Sequence, residues 1–193
     1  IKIQADDAPV PEKLPGARRG IPMAAIVDGV LQQISRDPMR DRDALRKEAV
    51  FFKGNRESLP EDGAVLRSWY LHSRDASLYE LVRSYLNLCH ERLWTGASAG
   101  SMLTRSVGIR ALFDLLSGIL RKAIAGHSSG ASKVSKIMLA EIESTICMAS
   151  ERAQEVDFSD PFFEATYRGR RRIENVLRLI TDMAKLDEMP DSD

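Results

Sequence analysis

The sequence predicts an all-α fold, a single irregular bundle of five to seven helices around a buried central helix at about residues 101–125. Three observations predict it. The stretch Ser98 to Ala125 is apolar around most of a helical circumference, which marks the centre of a helical domain. Apolar residues elsewhere recur at three- and four-residue spacing, and no alternating pattern of strand length occurs. A length of 193 residues fits one domain with a sizeable core.

In the central stretch Met102, Ile109, Phe113, Leu116, Leu120 and Ile124 form one stripe, widened by Leu103, Val107, Leu112, Leu115 and Ile119. Upstream, residues 1–20 carry Pro9, Pro11 and Pro15 and read as an extended lead-in. The first helix is expected over Pro22 to Ser35, with Met23, Ile26, Val27, Val30, Leu31 and Ile34 as its buried face, Pro22 in its first turn and Asp37-Pro38 ending it.

A short helix is expected over Asp43 to Phe52, then a loop from Arg56 to Gly63. Val65 to Leu71 fits helix or strand, and its helical neighbours favour helix. Ser77 to Leu93 carries a Ser-x-x-Glu capping box at Ser77 and Glu80, and turns its Leu78, Leu81, Val82, Tyr85, Leu88 and Cys89 face inward. Ser132 is the expected cap of a helix to about Gln154, with Leu139, Ile142, Ile146 and Ala149 inward. Asp160-Pro161 is expected to start the last helix, whose face is Ile173, Val176, Leu177, Ile180 and Ala184. The helical domain thus runs over 21–187, and 188–193 is a frayed acidic tail.

Composition narrows the function classes. Lys plus Arg equals Asp plus Glu at 28 each, so the strongly basic signature of a nucleic-acid-binding domain is missing, though a local patch is compatible with that balance. No apolar run is long enough to span a membrane, and no secretory leader opens the chain. Cys89 and Cys147 lie in helical patterns, which fits reduced thiols and a cytoplasmic setting. A start at Ile1 on a polar, proline-rich stretch is the pattern of a fragment or a processed protein.

Gly96-Ala-Ser-Ala-Gly100 has the form of the α/β-hydrolase nucleophile elbow, but a helix precedes it and only His127 follows as a base. The bland reading is a linker in which Ser98 or Ser101 caps the next helix. The same residues at a helix N-terminus suit an anion, yet the Walker lysine is missing. His72, His90 and His127 lack the spacing of ligands on one face, so no metal is expected; no cofactor and no catalytic residue is assigned.

The densest positive run is Arg168-Gly-Arg170-Arg171-Arg172, with Arg178 further along the same helix and Tyr167 beside it. Free guanidiniums here suit DNA phosphates, whereas Glu164, Glu174 and Asp182 offer intramolecular partners. The DNA reading therefore requires Arg168, Arg170, Arg171 and Arg172 on one exposed surface without carboxylates.

Arg105-Ser-Val-Gly-Ile-Arg-Ala-Leu-Phe-Asp-Leu-Leu116 resembles a run, Lys-Thr-Val-Gly-Ile-x-Ala-Leu-Phe-like, of the DGQHR-domain proteins, which include the DndB-like, ParB-related proteins. The likeness extends over about 21–122. The naming motif Asp-Gly-Gln-His-Arg is absent, and Asp28-Gly29 inside a helix is no substitute. The resemblance implies the helical C-terminal portion of a bacterial DNA-modification or phage-defence protein, non-enzymatic, serving DNA binding or assembly with partners. Gly108 and Ala111 are expected to let another helix approach closely. The alternative is an interaction or dimerisation module with no DNA contact, docking through the first helix or the Ile173–Ala184 stripe.

Overall fold

The structure, a computed structural model, describes residues 21–49, 55–98, 100–126 and 131–183. The expected lead-in over 1–20, the acidic tail, His127 and Ala184 lie outside the described residues. Seven α-helices follow in order: α1 Met23–Ile34, α2 Pro38–Ala49, α3 Arg67–Leu71, α4 Asp75–Cys89, α5 Ser106–Ala125, α6 Ala131–Ala153 and α7 Tyr167–Ile180. Among the described residues there is no strand, so the all-α bundle stands.

α5 is the axis. It touches α1, α6 and α7, while α4 packs on α6. Ile109, Leu112, Phe113, Leu115, Leu116, Ile119 and Leu120 are all buried, so this helix has core on most sides. Removing one such side chain costs about 2–5 kcal/mol through lost burial and the cavity left behind. Tyr85 of α4 sits at 0% exposure and donates its hydroxyl to the Leu112 carbonyl at 2.5 Å, satisfying the polar end of a buried ring.

The central helix starts later than its apolar pattern suggests. Met102–Thr104 forms a separate 3₁₀ turn, in which the Ser101 hydroxyl accepts from Leu103 N–H. The turn folds back on α5 at Gly108, where a Cβ would collide with the Met102 carbonyl and the Leu103 backbone. Gly108 therefore admits the chain's own preceding turn rather than another helix.

Other boundaries shift for identifiable reasons. α2 begins at Pro38 rather than Asp43, since the Asp37 carboxylate accepts from Arg40 N–H and proline fits the first helical position. α4 begins at Asp75, which places Ser77 inside the first turn, so no capping box forms there. Asp160-Pro161 opens only the 3₁₀ turn Pro161–Phe163, and α7 starts after Thr166, whose hydroxyl accepts from Gly169 N–H. Pro22 precedes α1 as its cap residue.

α4 continues into one π-type turn, His90–Trp94, closed by Thr95 N–H on the His90 carbonyl at 3.0 Å. Leu93 and Trp94 are both buried there, and Ser150 of α6 donates to the Arg92 carbonyl. A buried clamp fixes α2. Arg67, 1% exposed, donates to Asp41, to the Ile34 carbonyl at 3.2 Å and to the Pro60 carbonyl at 2.7 Å. Burial pushes the Asp41 carboxyl up, but hydrogen bonds from Arg67 and Ser35 outweigh it and hold the group below its ordinary value.

Candidate interaction surfaces

Three of the four arginines of the run have a carboxylate within ion-pair distance. Arg170 makes a two-pronged pair with Asp114 of α5, Nε at 2.8 Å and an Nη at 2.6 Å. This pair raises the guanidinium's pKa and ties α7 to the axis. Glu174, 5% exposed, accepts from Arg171 at 3.1 Å and forms an ion pair with Arg178 at 3.2 Å. Arg172 lies over the Phe162 ring at 4.4 Å, donates to the Phe162 carbonyl at 2.8 Å and has Glu164 at 3.8 Å. Arg168 alone of the run is exposed with no carboxylate within ion-pair distance among the described residues. The expectation of four unpartnered guanidiniums is therefore corrected.

The serine motif sits in a helix-to-helix connection after the π-type turn, without the strand that would expose a nucleophile. Among the described residues no group of three or more His, Cys, Asp or Glu side chains is placed to hold a metal ion. No helix among them is long and apolar enough to cross a membrane.

The unexpected feature is α1. The fully buried face on α5 is Ala25, Gly29 and Gln33, while Ile26, Val30 and Ile34 of the apolar stripe pack half-buried at the edge of the core. A Cβ at Gly29 would overlap the Phe113 ring, so the helix lies flush against α5. Gln33 is 1% exposed and spends its amide inside, donating to the Phe113 carbonyl at 3.2 Å and accepting from Ser117 at 2.9 Å. Asp28 pairs with Arg110 at 2.7 Å further along. With successive residues about 100° apart, the packed face lies about 130° from the centre of the apolar stripe. Met23 is consequently 68% and Val27 49% exposed, and Ile26, Val30, Leu31 and Ile34 are only partly buried.

Two clefts extend this open face. One, of about 600 Å³, lies between α1 and α2 over Leu31, Ile34, Met39, Leu45 and Tyr70. The other, of about 260 Å³, lies between α1, α3 and α4 over Val30, Ile34, Leu66, Leu78 and Tyr79. Ile34 and Tyr70 line both. Met39 and Tyr79 stand exposed at their margins, 59% and 65%. The second stripe with docking potential, on α7, is closed, with Ile173 and Leu177 at 0% exposure.

Comparison with known proteins adds no relative: no family model, no curated protein and no solved structure matches this chain. The sequence reading missed the orientation of α1. A signal for it was present in Ala25 and Gly29, since small residues one turn apart let a neighbouring helix approach closely.

Proposed function

We propose that this chain is a helical docking module that binds an apolar segment of another polypeptide along α1 and its flanking clefts. The observation that carries the reading is the outward apolar stripe. Met23 and Val27 stand exposed, while Ala25, Gly29 and Gln33 are buried on α5 and Ile26, Val30 and Ile34 lie half-buried at the core's edge. Contiguous exposed apolar surface next to concave clefts marks interaction sites, because leaving it in water costs free energy that a partner's apolar side chains recover. In the DGQHR/DndB-like setting that the resemblance implies, such a face serves assembly with partners rather than DNA contact. The motif Arg105–Leu116 is compatible with that role, since Gly108, Ile109, Ala111, Leu112, Phe113, Leu115 and Leu116 are all packing residues and mark a fold rather than a reaction.

A displayed peptide library selected on the intact protein tests the proposal. The expected result is enrichment of peptides with apolar anchors at helical spacing, whose binding is lost in a Met23→Glu, Val27→Glu variant. Enrichment independent of those positions, or salt-sensitive binding of a duplex DNA with no α1-dependent peptide, would overturn it.

A further inference from the structure

Resting on that docking reading, we infer that the occupant is an acidic amphipathic helix of a partner polypeptide, about three turns long, with its carboxylates facing α2. Length follows from the site. α1 offers twelve residues of stripe, about 18 Å at 1.5 Å per residue, and a partner helix lying along it needs the same span. The two clefts beside Ile34 and Tyr70 take its larger apolar side chains, the mode in which an amphipathic helix settles into a groove.

Charge follows from which border groups are already neutralised. Asp41 is consumed by Arg67, Asp75 by Arg56 at 2.5 Å, and Asp28 by Arg110. On the α2 side Arg42 and Arg46 line the larger cleft. Arg46 is exposed without an ion-pair partner among the described residues. Arg42 pairs with the neighbouring Asp43 at 3.0 Å, an exposed pair like those of Asp75 and Asp28. Among the described residues the border therefore keeps one unpaired charge, the Arg46 guanidinium, over an apolar floor. Carboxylates on the incoming helix fit it, and lysines there meet like charge at a partly desolvated margin. Two separate concave clefts suit side-chain anchors better than a flat bilayer.

The test uses the intact protein and two synthetic peptides of about 14 residues, long enough to cover the stripe. Both carry the same leucines at helical spacing, one with a glutamate-rich and one with a lysine-rich polar face. The glutamate peptide is expected to bind at least about tenfold more tightly at low salt, with the preference reduced by added salt. Arg42→Glu, Arg46→Glu should abolish or reverse that preference, and Met23→Glu, Val27→Glu should remove binding of both peptides. Equal affinity for both peptides, still dependent on Met23 and Val27, would overturn the acidic assignment and leave the docking reading standing. Binding of neither peptide by a folded protein, confirmed by circular dichroism, would overturn the acidic helix. If the library also yields no α1-dependent peptide, the docking reading falls with it. Two further results overturn the inference: binding only to phosphatidylserine-containing vesicles, and light scattering that shows a second copy on the same face.

Discussion

Gly29 of α1 lies directly on the ring of Phe113 of α5, with no room for a Cβ between them. That contact decides which way α1 faces. Because the flush approach is made by Ala25, Gly29 and Gln33, Met23 and Val27 of the same helix are left exposed and Val30 and Leu31 only half-buried. Gly29→Ala should therefore destabilise the protein by about 1–3 kcal/mol through overpacking, although alanine is the better helix former. Urea unfolding at unchanged slope, with a lowered midpoint, is the expected readout. An unchanged or raised midpoint would mean that α1 does not rest on Phe113.

Asp41 and Arg67 make an acid-sensitive clamp. The folded Asp41 carboxyl titrates below its unfolded value of 3.8, so it binds fewer protons folded than unfolded in that range. Its contribution is fully present above the unfolded value and is lost as pH falls through the lower folded value. Asp41→Asn leaves the buried Arg67 charge with only Asp62, at 3.8 Å, and should cost up to about 3 kcal/mol near neutral pH. The gap between the two proteins should narrow below about pH 4, as measured by midpoints across a pH series. A gap independent of pH would contradict the ion pair.

Cys89 should be silent to thiol reagents in the folded protein. It is fully buried against Tyr85, and burial pushes its thiol up to about 12, so little thiolate forms near neutral pH. Cys147 is half-buried on α6 and should react first. Titration with a chromogenic disulfide is expected to count one thiol before denaturant and two after. Two fast thiols in native buffer would place the α4 core wrongly.

Arg170 and Arg168 should separate structure from ligand contact. Arg170→Ala strands Asp114 at a helix junction and should lower stability by about 1–3 kcal/mol. Arg168→Ala should leave the melting temperature unchanged, and neither variant should alter retention on a duplex DNA column at low salt. A retention loss in Arg168→Ala without a stability change would restore the phosphate-contact reading of α7.

The parts of this fold that could be read from the sequence share one property, that a single helix contains the signal. α5 is apolar nearly all round, so no choice of face arises and its burial follows. α1 has a choice, and apolar periodicity names a face without naming what covers it. The α7 arginines show the same limit. Glu174 sits three and four residues from Arg171 and Arg178, within reach of a helical reading, but Asp114 lies 56 residues from Arg170. Only the packing of α7 on α5 brings it there. Caps competed too, and Thr166 prevailed over Asp160-Pro161 because its hydroxyl reaches Gly169 N–H, where glycine also permits the Glu164 carbonyl to pass close.

The outward face of α1 is tested most directly by thermal unfolding of the Met23→Glu, Val27→Glu variant, read together with its binding of the selected peptides. Charges on an exposed stripe should leave the melting temperature within a few degrees of the parent, within the small range typical of surface substitutions, while peptide binding disappears. A drop of ten degrees or more, on the order of a buried-charge penalty, would mean that Met23 and Val27 belong to the protein's own core and that α1 has no free face to offer.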